Sequence, residues 1–583
     1  MAELPQTAYE FGPFRLVPGE RRLLRRGESV RLAPKAFDTL LLLVRNPDRL
    51  IDKDEFLSQV WGGRFVEEVT LAHSISELRK ALGEGNGPFI ETVAKRGYRF
   101  IAPVRSLGAA QEITRPQVLL AVLPFENLSS DADREYLADG LTEELIAVLG
   151  QIDPEHLGTV GRTSMMAYKG TRKSLSDIGR ELGASFLIES SIRTEKGRVR
   201  ITSRLVRATD QVQIWSASWD SEPSSVLSFQ RELSTIIGEQ VRLRLSPERL
   251  DALARRQAHN AEAYDVYLRG RWLWNHFTPA TTRQAVECFV RTTDLDPDYA
   301  LAWAGLTDAY ASSPIHADVQ PTAVWEKARQ AADRAMRINA DLPETQTSVG
   351  MLKFWLDWEW PEAERALRRA IELDPSYSLA WRMLGIVLAH MGRSDGEAQR
   401  AMQRARALDP LQAMHHALSG QVAFVLRDFS AAIEYARQST IIASDFWVGH
   451  YVIAQAREQL GDYDLALDAL TRSAGFGGYN SKLLSLRGYI LGKMGRRNEA
   501  LSVLTTLEGL AHERYTPPYA SALVYAGMGE RDAALRWLET ALDVHDVHLA
   551  LLPNDPKWDG FRRDRRFTDL LRRCGLHIVE VQA

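Results

Sequence analysis

The carboxyl-terminal half of the chain repeats with a period of 35 residues. Asp374 and Pro375 recur as Asp409 and Pro410, and Asn339 and Ser444 continue the spacing on both sides. Small residues keep the same step; they are Gly350, Gly385 and Gly420, and Ala366, Ala401 and Ala436. A small residue at one fixed point of each repeat lets neighbouring helices pack closely. The period therefore predicts stacked helix pairs that bury their apolar faces against each other.

This period, with a glycine on the first helix, an alanine on the second and a terminal Asp-Pro, resembles tetratricopeptide repeats of ~34 residues. We expect an array over residues 260–548 with about eight units, the last ones degenerate. Asp296 precedes Asn339 by 43 residues, which predicts an insertion around Ser312–Thr322. Residues 549–583 resemble the terminal segment that caps such arrays.

An array of this kind implies a protein or peptide partner on its concave surface. We expect four aromatic residues near its middle to serve in interhelix packing rather than in a pocket; they are Phe354, Trp355, Trp358 and Trp360.

Near the amino terminus, Val69 to Leu82 has the pattern of an amphipathic helix. Its apolar residues recur at steps of four, three and four and so share one face; they are Leu71, Ile75, Leu78 and Leu82. The opposite face can donate and accept hydrogen bonds, as the major groove of DNA requires; it carries Thr70, His73, Ser76, Glu77 and Lys80, with Arg79 on its flank. An ordinary solvated surface helix is the alternative.

A two-stranded turn follows this helix. Phe89–Val93 and Tyr98–Ile101 read as strands around Lys95 and Arg96. Two adjacent cations at a hairpin tip suit phosphates or a narrow minor groove.

Elements before the helix complete a recognisable order. Tyr9–Val17, Arg21–Arg25 and Val30–Leu32 are strand-like, Pro34 opens one helix, and Asp52 caps a second that ends at Trp61. Over residues 8–104 the chain resembles the OmpR/PhoB-type winged helix, the "transcriptional regulatory protein, C-terminal" family. The resemblance rests on Leu32, Phe37, Leu40 to Leu43, Val60 to Gly62, Ile75, Ser76, Leu78 to Leu82, Thr92, Val93 and Gly97 to Phe100.

The resemblance implies that the third helix lies in the major groove and the wing in the adjacent minor groove. It also implies that the loop of residues 62–68 contacts RNA polymerase. The candidate DNA-binding residues are Trp61, Arg64, Thr70, His73, Ser74, Ser76, Glu77, Arg79, Lys80, Lys95, Arg96 and Arg99. Two positions depart from the family, because Glu77 stands where many members carry a cation and Ala94 where some carry a wing arginine. Glu77 either accepts a hydrogen bond from cytosine N4 or is simply exposed, and Lys95 and Arg96 are expected to take the wing's role.

The middle of the chain predicts a small α/β domain over residues 117–245, after a linker of small and polar residues at 105–116. Strands are expected at Val118–Pro124, Phe186–Ser191, Val199–Val206 and Val212–Ser218, and helices at Asp139–Leu149 and Leu175–Leu182. Its segments Ala121–Leu128 and Asp139–Leu145 resemble the TolB-amino-terminal-like domain. Asp139, Glu143 and Glu144 are expected to complement the dipole at the start of a helix rather than to catalyse a reaction.

Several function classes are disfavoured. The chain has no G-x-x-x-x-G-K, H-E-x-x-H or G-x-S-x-G motif, so we expect no enzyme and no cofactor. Cys288 and Cys574 form no metal-binding pattern, and the histidine pairs at 415–416 and 545–548 lack accompanying ligands, so no metal site is expected. Apolar runs fall far short of the ~20 residues of a membrane helix, which favours a cytoplasmic protein without membrane contact.

Charge neither favours nor excludes DNA binding. Residues 1–105 contain 17 Lys and Arg against 14 Asp and Glu, a net charge of +3, whereas the whole chain is −4 and its remainder therefore −7. Placement of cations against phosphates matters more than this total.

The sequence thus predicts a winged helix, a small α/β domain and an α-solenoid of tetratricopeptide repeats. The function expected is that of a CadC/ToxR-like one-component transcription regulator without a membrane segment, which binds double-stranded promoter DNA and senses or recruits through its other domains. A single module buries little DNA surface, so a homodimer on repeated half-sites is expected. The alternative is an adaptor that uses the winged helix to bind protein, and a regulated enzyme is a third, weaker class.

Overall fold

The computed structural model of the chain has two units, Met1–Arg115 and Pro116–Ala583. The structure describes residues 8–11, 14–17, 22–25, 28–30, 32–46, 49–53, 55–56, 60, 68–83, 89–93, 96–102, 105–107, 118–129, 135–153, 156–195, 198–221, 236, 256, 258–276, 278–393, 396–477 and 480–576. Among these residues, no helix is both long enough and apolar enough to cross a lipid bilayer.

The first unit combines two small antiparallel sheets with helices. Its elements are β1 (Ala8–Phe11), β2 (Phe14–Val17), β3 (Arg22–Arg25), β4 (Glu28–Val30), α1 (Pro34–Arg45), β5 (Leu50–Asp52), α2 (Glu68–Leu82), β6 (Ile90–Val93), β7 (Gly97–Phe100) and β8 (Arg105–Leu107). The strand orders are β4-β3-β2-β1-β8 and β5-β7-β6. Asp52 Oδ1 accepts a hydrogen bond from the Glu55 N–H at 2.7 Å, which confirms the predicted helix cap.

Several predicted boundaries in this unit are wrong, and the strand expected at Val30–Leu32 lies instead at Glu28–Val30. The run Tyr9–Val17 is two strands, β1 and β2, paired antiparallel with Phe11 opposite Phe14. The expected linker at 105–116 begins too early, because Arg105–Leu107 form β8 and pair with β1. Composition misled here, since Arg105 and Ser106 are polar but stand opposite Glu10 and Tyr9 in a ladder.

Aromatic residues fill the centre of this unit. Phe11, Phe14 and Phe100 are each at most 2% exposed, and the rings of Phe11 and Phe100 meet edge to face at 5.1 Å between centroids. Because these residues come from β1, β2 and β7, burial of their apolar area joins the two sheets.

The second unit opens with a mixed sheet flanked by helices. Its elements are β9 (Val118–Val122), β10 (Glu126–Asn127), α3 (Glu135–Ile152), β11 (Leu157–Thr159), α4 (Arg162–Met166), α5 (Leu175–Leu182), β12 (Phe186–Glu195), β13 (Arg198–Arg207) and β14 (Gln213–Ser221). Strands β11, β9 and β12 run parallel, and β12, β13 and β14 form an antiparallel meander. Helix α5 has the predicted bounds, whereas β12 extends to Glu195 rather than ending at Ser191.

Eight helix pairs follow within the described residues. They are α6 (Ala261–Trp274) and α7 (Pro279–Leu295); α8 (Ala300–His316) and α9 (Pro321–Asn339); α10 (Pro343–Leu352), continued by a π-helical turn at Lys353–Asp357, and α11 (Trp360–Leu373); α12 (Ser378–His390) and α13 (Glu397–Leu408); α14 (Ala413–Val425) and α15 (Phe429–Ile442); α16 (Trp447–Gln459) and α17 (Tyr463–Gly477); α18 (Ser481–Lys493) and α19 (Arg497–Glu513); α20 (Pro518–Gly527) and α21 (Arg531–Asp543). The expected insertion at Ser312–Thr322 is not a separate loop, because α8 and α9 are themselves lengthened to 17 and 19 residues.

The periodic glycines lie where two helices of a pair approach most closely. A Cβ on Gly350 would stand 2.7 Å from Leu367 Cγ, and a Cβ on Gly385 would stand 2.7 Å from Met402 Sδ. The matching alanines are buried, with Ala436 fully inaccessible. Small residues at these points are therefore a packing requirement of the array.

The carboxyl-terminal segment lies inside the array. It consists of 3₁₀ turns at Val547–Leu551 and Pro556–Phe561 and helix α22 (Arg565–Arg573). Trp558 is 0% exposed and donates its indole N–H to the Tyr519 hydroxyl at 3.2 Å. Asn554 Nδ2 donates to the His390 carbonyl at 2.5 Å, so the segment reaches back to the fourth helix pair. It does more than cap the end of the array.

Three of the four aromatic residues near the middle of the array pack as expected, whereas Trp355 is only partly buried and lines a cavity. Phe354, Trp358 and Trp360 are each at most 8% exposed. His545 is stacked between Trp325 and Trp358, with ring centroids 3.8 and 3.9 Å away. Its Nε2 donates to the Leu356 carbonyl at 2.6 Å, so this histidine holds the carboxyl-terminal segment against the third pair.

The α/β domain packs directly on the array, and this corrects the expected role of its carboxylates. Helix α3 begins at Glu135, so Asp139, Glu143 and Glu144 lie inside the helix rather than at its positive end. Glu143 pairs with Arg271 of α6 at 2.6 Å and with Arg162 at 3.0 Å.

The two neighbouring glutamates respond differently to burial. Desolvation opposes ionisation of Glu143, but Arg271 and Arg162 outweigh it and hold the pKa of Glu143 below its ordinary value. Burial raises the pKa of Glu144 despite Arg256, whose guanidinium lies closer to Glu344, at 2.7 Å. These ion pairs join the α/β domain to the first and third helix pairs.

A second contact joins the α/β domain to the Asp-Pro turn of the fourth pair. Asp409 is 3% exposed and accepts hydrogen bonds from the Ser164 N–H at 2.7 Å and the Thr163 N–H at 3.2 Å. Gln412 Nε2 donates to Thr163 Oγ1 at 2.6 Å. A residue that marks the repeat period is thus also part of a domain interface.

Candidate nucleic-acid interface

Helix α2 is held by its apolar face. Leu71, Ile75, Leu78 and Leu82 are each at most 2% exposed and belong to the core that also contains α1. At roughly 25 cal/mol per Å², burying side chains of this size stabilises the helix position by about 1.5–3 kcal/mol each. The opposite face is consequently fixed in direction relative to the rest of the unit.

The predicted outer residues of α2 divide into two groups. Thr70, His73, Ser76 and Lys80 are exposed and lie on the face opposite the core. Among the described residues of α2, these four present a hydroxyl, an imidazole, a second hydroxyl and an ammonium to solvent. Such a set contains both donors and acceptors for base edges and phosphates.

Glu77 and Arg79 are instead occupied by contacts within the unit. Glu77 Oε1 accepts a hydrogen bond from the Ala33 N–H at 2.9 Å, one of the unpaired donors at the start of α1. Arg79 Nη2 donates to the Ile90 carbonyl at 2.9 Å and to Thr92 Oγ1 at 2.7 Å. Both side chains therefore position α2, one against α1 and the other against β6.

Ser74 and Arg99 are also engaged. Ser74 is 5% exposed and donates its hydroxyl to the Thr70 carbonyl at 3.1 Å, so it faces inward. Arg99 Nη1 lies 3.5 Å from Glu91 across the β6–β7 ladder, and its Nε is buried without a hydrogen-bond partner. A carboxylate this close competes with a phosphate for the arginine.

The β6–β7 hairpin forms the wing. Arg96 is exposed beside the turn, where its N–H donates to the Val93 carbonyl at 3.0 Å. Tyr98 packs edge to face on Phe56 at 6.0 Å between ring centroids. The predicted site residues Trp61, Arg64 and Lys95, and the loop proposed for polymerase up to residue 67, lie outside the described residues.

Sequence reasoning missed the residues that orient the helix. Lys35 Nζ donates to the Val60 carbonyl at 2.5 Å, which ties α1 to a helical residue farther along the chain. Thr92 accepts a hydrogen bond from Arg79, and the Ala33 N–H donates a hydrogen bond to Glu77. The one available signal was the flank position of Arg79, because a side chain between the buried and exposed faces can reach a neighbouring strand.

Family models match two parts of the chain. Residues 27–100 match "Transcriptional regulatory protein, C terminal", and residues 359–399 and 396–445 match "Tetratricopeptide repeat". The first match contains α1, α2 and the wing.

Individual relatives match in part. "Putative adenylate cyclase 3" of Rhizobium meliloti is 30% identical over 188 residues, 32% of each chain. "Transcriptional regulator HilA" of Salmonella typhi is 24% identical over 337 residues, 57% of this chain and 58% of the relative. The solved "DNA binding domain of E. coli CadC" is 31% identical and covers 17% of this chain and 97% of its own, with a TM-score of 0.17 over the whole chain.

The chain thus spans about a third of the cyclase relative and somewhat over half of HilA. The TolB-like resemblance of the α/β domain stays a prediction. Residues 27–100 belong to the transcriptional regulatory protein, C-terminal family, and tetratricopeptide repeats lie farther along the same chain.

Proposed function

We propose that the protein is a sequence-specific DNA-binding transcription regulator. One observation carries the proposal, namely the exposed polar face of α2, with Thr70, His73, Ser76 and Lys80, in a domain of this family. In that arrangement α2 enters the major groove and the wing follows the adjacent minor groove. His73 and Ser76 read base edges, while Lys80, Lys95 and Arg96 neutralise phosphates.

Two of the remaining candidates take positioning roles in this proposal. Glu77 and Arg79 hold α2 at its angle to α1 and the wing, which supports a geometric rather than a base-reading function. Arg99 stays a candidate phosphate contact once Glu91 is displaced. Trp61 and Arg64 also stay candidate DNA contacts. We leave Ser74 out because its hydroxyl is internal.

The domain limits and further partners belong to the same proposal. The winged helix spans residues 8–107, the α/β domain 118–221, the array 261–543 and the carboxyl-terminal segment 547–573. RNA polymerase binds the loop of residues 62–68, and two copies bind repeated half-sites. The ion pairs of Glu143 and Glu144 support a structural role for these carboxylates, and we infer from the regulator relatives that the protein is not an enzyme.

Footprinting of genomic fragments with the full chain over a salt series tests the proposal. Discrete protected sites are expected, with affinity falling steeply as salt increases because counterions are released from phosphates. Protection without sites, or affinity independent of salt, contradicts it and favours the adaptor alternative.

Variants then separate the two kinds of contact. Replacing Lys95 and Arg96 together with alanine should weaken binding on all sequences and lower the salt slope by about 2, roughly one per phosphate contact. His73→Ala or Ser76→Ala should change which sequence is preferred, by about 1–3 kcal/mol at one base pair. Arg365→Ala, an exposed change in the array, is the matched control. Equal loss on all sequences from the helix variants contradicts their base-reading role.

A further inference from the structure

A partly open cavity lies inside the array. Its volume is about 140 Å³, and its wall is formed by helices of successive repeats together with the carboxyl-terminal segment. One water needs roughly 10–15 Å³ on this measure, so the space holds on the order of ten non-hydrogen atoms. We call it the array cavity.

Most of the wall is apolar and aromatic. Trp274, Trp447 and Tyr451 supply flat rings, and Met383 and Met414 supply flexible thioethers. A wall of this kind suits an organic ligand with an apolar body, because rings and thioethers adapt to its shape.

Two cations line this wall without a carboxylate partner. Arg382 is 7% exposed, its Nε has no hydrogen-bond partner, and its Nη1 meets only His415 Nδ1 at 3.4 Å. Lys482 is half-buried at the start of α18, and none of the described carboxylates lies within 4.0 Å of its ammonium. Burial lowers the pKa of Arg382 to about 10 and that of Lys482 to about 8. Both groups remain cationic near neutral pH.

The other polar groups of the wall are already balanced. Lys557 lies 2.8 Å from Asp555 and donates to Gln455 Oε1 at 3.1 Å. His548 Nδ1 lies 2.8 Å from Asp546. Burial lowers the pKa of His390 to about 4, so its ring is neutral. Arg382 and Lys482 are therefore the cations of the wall that lack a direct ion pair, although Asp308 and Asp409 act on Arg382 from a distance, and Asp318 and Asp546 act on Lys482.

We propose that the array cavity binds a small organic monocarboxylate with an apolar body. The carboxylate pairs with Arg382 and Lys482, and the aromatic wall covers the rest. A buried cation without a direct ion pair beside an apolar wall is costly, and a bound anion offsets that cost. Arg382 and Trp274 also line the cleft against the α/β domain, so occupancy of the cavity acts on the interface between that domain and the array.

Calorimetry and thermal unfolding of the full chain test this with named probes. Phenylacetate, benzoate and hexanoate are compared with phenylacetamide, which keeps the shape and lacks the charge, and with inorganic phosphate, which lacks the apolar body. At least one carboxylate should bind and raise the unfolding temperature, while the amide and phosphate should bind at least roughly tenfold more weakly. The assays contain no DNA, so their outcome is independent of footprinting.

Three variants locate the binding. Lys482→Met and Arg382→Gln should each weaken carboxylate binding by roughly tenfold or more. Leu418→Trp should abolish it by filling the cavity, which Leu418 lines. Arg437→Met, which removes an exposed cation of α15, should leave binding unchanged. Because Lys482 is only half-buried, Lys482→Met is expected to fold. It therefore still tests the site should Arg382→Gln fail to fold.

Four outcomes overturn the inference. The first two are that no carboxylate binds at about 1 mM, or that phenylacetamide binds as tightly as the carboxylates. The other two are that Lys482→Met or Leu418→Trp binds the carboxylate as tightly as the wild-type protein does.

Discussion

Single residues fix the wing and the interior of the array. Gly97 lies opposite Asp52 where β7 pairs with β5, and a Cβ there would stand 2.0 Å from the Ile51 carbonyl oxygen. That distance is shorter than any van der Waals contact, and backbone atoms cannot move aside as a side chain can. The family motif requires this glycine for a steric reason visible only in the sheet.

Gly97→Ala should therefore destabilise the first unit by about 1–3 kcal/mol, because strand β7 must shift away from β5. Urea unfolding of the full chain, followed by hydrogen exchange in β5 and β7, measures the effect. Gly83→Ala is the control for a glycine whose Cβ meets open space, although its φ of 73° adds local strain. An unchanged exchange rate in β5 for Gly97→Ala contradicts the prediction.

Buried aspartates of the repeat turns predict a pH dependence. Burial raises the pKa of Asp374 from 3.8 to about 6, although Ser376 donates to its Oδ1 from both N and Oγ. A carboxyl that holds its proton more tightly when folded contributes stability below pH 4 and loses it as pH rises through about 6.

Wild-type protein should thus gain stability as the pH falls from 7 to 5, and Asp374→Asn should show less of this gain. Asparagine keeps an oxygen acceptor for Ser376, so the variant removes mainly the titration. Urea midpoints by tryptophan fluorescence at pH 7, 6 and 5 measure it, with the exposed Asp298→Asn as control. Parallel curves for wild type and Asp374→Asn contradict the assignment.

At the scale of elements, α3 joins the α/β sheet to the array. It carries Glu143 toward Arg271, and Gly140 stands where a Cβ would come within 2.9 Å of Leu268 on α6. The two helices pack too closely for a side chain at Gly140. Ion pairing and close packing therefore act on the same pair of helices.

Glu143→Gln should loosen this contact by about 2–4 kcal/mol, because Arg271 and Arg162 lose their shared carboxylate at a largely buried site. Hydrogen exchange in α3 and α6 should increase together. Glu181→Gln removes an exposed carboxylate paired with Lys173 and should leave both helices protected. Increased exchange in α3 alone contradicts the proposed coupling.

Prediction of elements succeeded where the pattern was local. The stripe of Leu71, Ile75, Leu78 and Leu82 predicted α2 within one residue, because helical periodicity is contained in a few turns. It failed for the start of α3, where the run around Asp139 and Gly140 looked like a helix beginning. Glu135 to Ala138 were helical as well, and their burial against distant residues carries no local signal.

At the scale of the whole molecule, the carboxyl-terminal segment fills part of the interior of the array in the second unit. Trp558 is fully buried and stacks with Phe567 at 6.1 Å between ring centroids. Lys557 crosses the interior to Gln455 and lies 4.7 Å from the centre of the Phe424 ring. The concave surface expected for a partner is thus partly filled by this chain.

Trp558→Ala should destabilise the second unit by about 3–5 kcal/mol, since a large side chain leaves a cavity in a closely packed interior. Exchange should rise in α14, α16 and α20 as the segment loosens. Trp537→Ala is the comparison for a partly buried tryptophan of the array. Loss confined to α22, with the inner helices unchanged, contradicts a segment that holds the interior together.

The sequence by itself determined the winged helix, the repeat period and the outer face of α2. Each depends on spacing within about one repeat, where helix and strand geometry set which side chains share a face. Only the tertiary structure decided that Glu77 and Arg79 hold α2 in place, that Glu143 pairs with Arg271, and that Arg382 and Lys482 line one cavity. These residues meet because packing brings together positions up to a hundred or more residues apart, and periodicity carries no record of such distances.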